Sequence, residues 1–363
     1  MKLHLQKIKQ SYGDMKLESK FTLVLILAVT IPVILMGCFF YGNVYEMVVS
    51  YTIRQEQDVS AKTAPLIEES LQQVIDAHDT ITDLDFFQTL FHQPVNSPFK
   101  MFDNTSEVKD FHDQVEQLIS SEKITGLQIY IDLPCTSIRL FQNELTRDYF
   151  APMSRARGTY WYGIFQGTHN STLYCPPFYL GQREIQNLGD MAYITATTFY
   201  YQGVAYPAYI ATYFSGDNFT RILQDNLTLS GSVSYIVNDR NAVVASSDIS
   251  LSGIYWLDYS SILDSFMSSN NFIERDILDT KVYAGFYNIK QAGWFMVTVL
   301  PSGPLIHQSN MIMFQYFLLF GIFLIMALLL SHFIAHSVTR RISSVIAQMS
   351  QVRKGTLSPM ESP

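Results

Sequence analysis

The sequence predicts an α+β membrane protein in which two transmembrane helices flank a large polar segment of mixed helices and strands. Three observations predict it. Of its 363 residues, 48% are hydrophobic and only 15% charged, against about 25% charged in ordinary soluble domains. Two uncharged runs, Phe21 to Tyr41 and Met311 to Ile334, supply the excess, and each reaches the ~20 residues a helix needs to cross a bilayer. Between them, apolar positions repeat first every three to four residues and then every two, the periods of helix and strand.

The N-terminal 20 residues carry Lys2, Lys7, Lys9, Lys16 and Lys20, and residues 335–363 carry Arg340, Arg341, Arg353 and Lys354. Positive flanks stay in the cytoplasm, which puts both termini inside and residues 43–310 outside. That outer segment holds 29 of the 32 acids and 15 of the 24 basic residues, a formal charge of about −14. An acidic surface excludes nucleic acid as a partner, because phosphates need a basic face. The start of the first run also has the form of a lipoprotein signal ending at Cys38. Its apolar stretch continues past that cysteine, however, and signal cores run only to about 15 residues. Cys135 and Cys175 lie outside, where they either form a disulfide or remain two unpaired, partly buried thiols.

From Asn43 to about Leu90 the apolar positions Val44, Met47, Val48 and Tyr51, then Leu66, Ile67, Leu71, Val74 and Ile75, predict a long helix that Pro65 interrupts. His78-Asp79 has the residue pair of a phospho-acceptor but reads as surface helix. Ser106 to Ser120 predicts a second helix with Val108, Phe111, Val115, Leu118 and Ile119 on one face and Ser106 as its cap. Strands follow at "GLQIYIDLP", "SIRLFQ", "GTYWYGIFQ", "DMAYITATTFYYQG" and "PAYIATYFS", then a helix at "DNFTRILQDNL". A smaller cycle begins at Gly231: a hairpin in "SVSYIVNDRNAVVASS", a helix near Tyr259–Ser269, and strands at "FIERDIL", "KVYAGFYNI" and "WFMVTVLP". Each cycle predicts an antiparallel sheet with flanking helices.

No phosphate loop, dinucleotide fingerprint or HExxH motif is present, and no Cys/His set has metal-site spacing. The sequence therefore assigns no catalytic residue, no metal and no cofactor. The richest ligand-binding candidate is "RARGTYWYGIF", where Arg157 is a cation in an acidic segment and Trp161 and Tyr162 offer stacking faces. Tyr193, Thr195 and Tyr213, on the strands that follow, are further candidates. After the second run, Val338, Ile342, Val345, Met349 and Val352 are spaced 4, 3, 4 and 3, a heptad stripe. Such a stripe needs a partner helix, most simply the same helix of a second copy, or else lies basic-side on membrane lipid.

"SVTRRISSVIAQMSQVRKGTLSP" resembles the first helix and connector of a HAMP linker, with Arg341 where many such linkers carry proline before the motif isoleucine. The whole layout resembles the YesM-like sensor histidine kinases. "YITATTFYYQG" with "AYIATYFSGDNFTRIL" is similar to the paired strands and exit helix of a membrane-distal Cache module, and "SYIVNDRNAVVASS" to the opening hairpin of a proximal one. The resemblance implies an extracellular double Cache (PAS-like) ectodomain over residues 43–310, with a distal module at about 90–225 and a proximal one at about 230–303. It places transmembrane helices at 21–41 and 311–334 and a partial HAMP linker at 335–363. It further implies a homodimer that detects an extracellular small molecule, sugar, peptide or solute-binding protein and relays the event to a cytoplasmic kinase and its response regulator. ATP and Mg would belong to that kinase part, which these residues do not contain. A membrane-anchored transcription regulator or a chemotaxis receptor would share the same sensor.

Overall fold

The first apolar run and most of the amphipathic stretch after it are realised as a single helix, α1 (Leu17–Thr82). The computed structural model describes residues 17–92, 105–134, 137, 141–267 and 272–353. The chain divides into two units, Ile53–Pro304 on the one hand and Met1–Thr52 with Leu305–Pro363 on the other.

In the first of these units α1 buries a stripe of Ser60, Ala64, Ile67, Leu71, Val74, Ala77, His78 and Ile81. Pro65 does not interrupt the helix, against the expectation. Packing on both sides of it, through Ala64 and Ile67, offsets the one backbone bond a proline forfeits. After a short α2 (Asp85–Phe91) comes α3 (Ser106–Ser120). Its cap is Thr105 rather than Ser106: the Thr105 hydroxyl accepts from the Val108 amide at 3.4 Å. Val108, Phe111, Val115 and Leu118 are buried, as their spacing predicts.

The next elements are β1 (Gly126–Ile131), β2 (Phe150–Pro152), α4 (Tyr160–Gly167), β3 (Thr172–Cys175), α5 (Gln182–Asn187), β4 (Met191–Tyr201), β5 (Val204–Phe214) and α6 (Asp217–Asp225). The strands form one sheet in the order β2-β1-β5-β4-β3. It is mixed rather than purely antiparallel, because β1 and β2 run parallel. One face packs on α1, α2 and α3 through Ile129, Ile131, Phe199, Ala208 and Ile210. The other packs on α4 through Tyr130, Ala192, Ile194, Tyr209, Ala211 and Tyr213. Covered on both faces, β1 is buried along its whole length and its expected polar side is not solvated.

A second cycle follows with β6 (Val233–Val237), β7 (Val243–Ser246), α7 (Ile249–Ile254), α8 (Tyr259–Met267), β8 (Phe272–Ile277), β9 (Thr280–Ile289) and β10 (Trp294–Pro301). Its sheet order is β7-β6-β10-β9-β8, the order of the first sheet repeated. Here every pairing is antiparallel. Ile236, Ile289, Trp294 and Met296 pack with Ile67, Leu71 and Val74 of α1. Val237, Phe286, Val297 and Val299 form a separate core beneath Ile262 of α8.

Each sheet is also tied to α1 by a buried polar node. His78 hydrogen-bonds through Nδ1 to Thr212 at 2.8 Å and through Nε2 to Thr195 at 3.1 Å. Ser60 pairs with Thr298 at 2.9 Å, and Thr298 pairs with Ser234 at 2.8 Å.

In the other unit, α9 (Ser302–Arg353) follows β10 without a loop. Its stretch Ser302–Met349 is, among the described residues, the one helix long and apolar enough to cross a membrane, with mean hydropathy 2.6 over an 18-residue window. In α1 the apolar stretch is the shorter Ile26–Phe39. Large apolar side chains such as Ile34, Leu35, Phe39, Phe317, Ile325 and Leu329 are exposed on these helices. Gly37 lies against the Phe320 ring, where an added Cβ would meet it at 3.6 Å. In the expected strand at "SIRLFQ", none of the described residues Ser137, Phe141 and Gln142 belongs to a strand, and residues 138–140 lie outside the described residues, as do Cys135 and the Gly355-Thr356-Leu357 connector.

Candidate functional site

The segment "GTYWYGIFQ" is a helix, not the expected strand. Thr159 caps it: its hydroxyl accepts from the Tyr162 amide at 3.4 Å and donates to the Ala156 carbonyl at 2.7 Å. Trp161, Ile164 and Phe165 are its buried positions. That one, four, five spacing is helical, and it outweighs the strand preference of the aromatic residues.

α4 carries Trp161 into the face of the first sheet. There its indole Nε1 donates to the Glu184 carboxylate at 3.2 and 3.4 Å. The hydroxyls of Tyr130 and Tyr213 donate to Glu184 Oε1 at 2.7 and 2.6 Å and lie 3.0 Å from each other. The Gly181 amide donates to Oε2 at 2.6 Å, the carboxylate half of a capping box at the start of α5. Burial, followed by the nearby charges and hydroxyls, pushes the Tyr213 phenol well above its usual range. Burial and the Glu184 charge do the same to Tyr130 and to the Cys175 thiol. Cys175 is buried and free. Tyr162 is half-buried, its ring set edgewise to Trp161 and Tyr209 at 6.1 Å each.

The sequence candidates do not form one site. Trp161, Tyr162 and Tyr213 share the α4 face. Tyr193 and Thr195 point to the opposite face, toward α1, because their register partners Thr212 and Ile210 alternate with Tyr213 and Ala211 along β5. The Tyr193 ring packs edge-on against His78 at 5.0 Å. Arg157 stays at the surface in an ion pair with Asp132 at 3.0 Å. His78 is 3% exposed, so it is not the surface residue its sequence context predicts. Burial lowers its pKa from 6.5 to about 4 and keeps the ring neutral. One nitrogen then donates and the other accepts, and the two threonine hydroxyls satisfy both.

Sequence reasoning missed Glu184, Tyr130 and His78. The signals were present: Gly181 and Glu184 stand three apart at a helix start, and His78 completes the Leu71, Val74, Ile81 stripe.

A cavity of about 520 Å³ lies between the two sheets. Its walls include Tyr174, Tyr179, Trp294 and the β6–β7 turn Asn238, Asp239 and Arg240. Asn238 is buried; its amide donates to the Tyr179 hydroxyl at 3.2 Å, and its Oδ1 accepts the backbone amides of Arg240 and Ala242. The Arg240 guanidinium donates to the Tyr160 hydroxyl. Tyr160 also packs on Tyr179, with the rings tilted and their centroids 4.9 Å apart. Adjacent residues of α4 thus reach two places, Trp161 the Glu184 cluster and Tyr160 the second sheet's turn. Among the described residues no group of three His, Cys, Asp or Glu side chains is placed to hold a metal.

No family model matches the chain, and no curated protein does. Solved structures do match. The ligand-binding domain of Mlp24 with asparagine aligns with TM-score 0.46 and 9% identity, covering 72% of this chain and 99% of that one. The sensory domain of the Campylobacter jejuni chemoreceptor Tlp3 with isoleucine bound aligns with TM-score 0.42 and 10% identity, covering 74% and 98%. The ligand-binding domain of the Pseudomonas aeruginosa amino acid chemoreceptor PctB in complex with L-Gln aligns with TM-score 0.41 and 13% identity, covering 69% and 90%.

Proposed function

We propose that the chain is the input half of a homodimeric membrane sensor. Its double Cache ectodomain lies outside the cell and binds a small molecule, sugar, peptide or ligand-loaded binding protein. Its two transmembrane helices, 21–41 and 311–334, relay binding to a HAMP linker at 335–363. A histidine kinase of the YesM-like class, with its response regulator, is the output. The observation that carries this reading is the repetition of one strand order in two sheets packed on a single helix. A helix that binds two sheets responds to both, and small helix shifts are a common currency of switching. Of the candidate ligand residues, Trp161, Tyr162 and Tyr213 share the face between α4 and the first sheet, Arg157 stands at the surface, and Tyr193 and Thr195 lie on the α1 side.

The heptad supports the relay. Ile342, Val345 and Met349 are exposed apolar residues in a single copy, and a stripe of that spacing buries itself by pairing with another helix. The test is disulfide crosslinking of a cysteine placed at Val345 in membranes. The Ile342→Asp, Met349→Asp double variant is expected to abolish it; unchanged crosslinking would sink the dimeric relay. Reading the coding frame beyond Pro363 then separates a kinase from a helix-turn-helix regulator or a chemotaxis receptor.

A further inference from the structure

Glu184 is a buried carboxylate without a cation: among the described residues no ion pair reaches it. Its partners are all donors. Tyr130 comes from β1, Tyr213 from β5 and Trp161 from α4, and each is itself buried. Three elements distant in sequence therefore aim N–H and O–H groups at one point, the arrangement that binds an anion in an apolar setting. A lone buried charge is tolerated only when its hydrogen bonds are complete, and here they are. The carboxylate itself is carried by the six-residue α5, an exposed segment apart from Glu184.

We propose that Trp161, Tyr130 and Tyr213 form a carboxylate-binding site and that Glu184 is its tethered occupant. The donors recognise a short monocarboxylate, and the chain fills them with its own. A free acid reaches them only by displacing Gly181–Asn187, so the α4 face of the first sheet excludes acids while Glu184 is seated. This deepens the sensor reading, on which only its consequence for ligand choice rests.

Glu184→Ala removes one methylene and the carboxylate, the atoms of acetate. The full-length variant in detergent is expected to melt below wild type and to regain about 4 °C or more with tens of millimolar sodium acetate. Acetamide and sodium chloride are expected to do nothing, and acetate is expected to leave wild type unmoved. Equal shifts with acetate and acetamide, or no shift with either, would overturn the site. If the variant yields folded protein only with an additive, recovery in acetate against acetamide becomes the readout, and equal recovery, including none in both, overturns it. Because the readout is thermal stability, the result is independent of whether the chain signals.

Discussion

His78 sits between two threonine hydroxyls and beneath the edge of Tyr193, so protonation would put a charge where both ring nitrogens are already committed. Burial holds its pKa at about 4 instead of 6.5. A histidine with a depressed folded pKa binds fewer protons than the unfolded chain. Its stability contribution is therefore full above pH 6.5 and declines as pH falls from 6.5 toward 4, by up to about 3 kcal/mol. His78→Gln keeps hydrogen-bonding capacity and removes the titration. Urea unfolding at pH 7.5, 5.5 and 4.5 is expected to show a shallower pH dependence in this variant than in wild type. Identical slopes would mean that other groups govern the acid response.

At the scale of elements, most of the fold is legible in the sequence and α4 is the instructive exception. Long strands such as β4, β5, β9 and β10 announce themselves by β-branched and aromatic residues, and α3 by its apolar face. β2 and β3, three and four residues long, are too short to show a period. In α4 two signals conflicted: aromatic composition favoured a strand, while the Thr159 cap and the Trp161, Ile164, Phe165 spacing favoured a helix. The site split for a related reason. Composition names Tyr193, Thr195 and Tyr213, but only the register of β4 on β5 decides which face each takes. Glu184 was hidden because a lone acid in a polar segment reads as surface. The cap gives a direct test: Thr159→Ala is expected to cost about 1 kcal/mol in urea unfolding and Thr159→Ser much less. A neutral alanine variant would argue that this segment does not depend on its cap.

For the whole molecule, the distribution of lysine and arginine predicts that residues 43–310 face outward. Ile249 is 84% exposed, and a cysteine there should react with a membrane-impermeant maleimide on intact cells. A cysteine at Arg353 should react only after permeabilisation, and the buried Cys175 only after denaturation. Labelling of Arg353→Cys from outside would reverse the topology.

Ser60 and His78, which fasten α1 to the two sheets, stand eighteen residues apart. Eighteen residues are five whole turns, about 27 Å along the axis, so both fasteners lie on one line of the helix. Adding or removing a single residue between them would swing one fastener about 100° off its sheet while leaving every side chain intact. The length of this stretch is therefore itself a specification. Chimaeras that join the front of one such helix to the back of another should keep both sheets attached only when the splice preserves the whole-turn count.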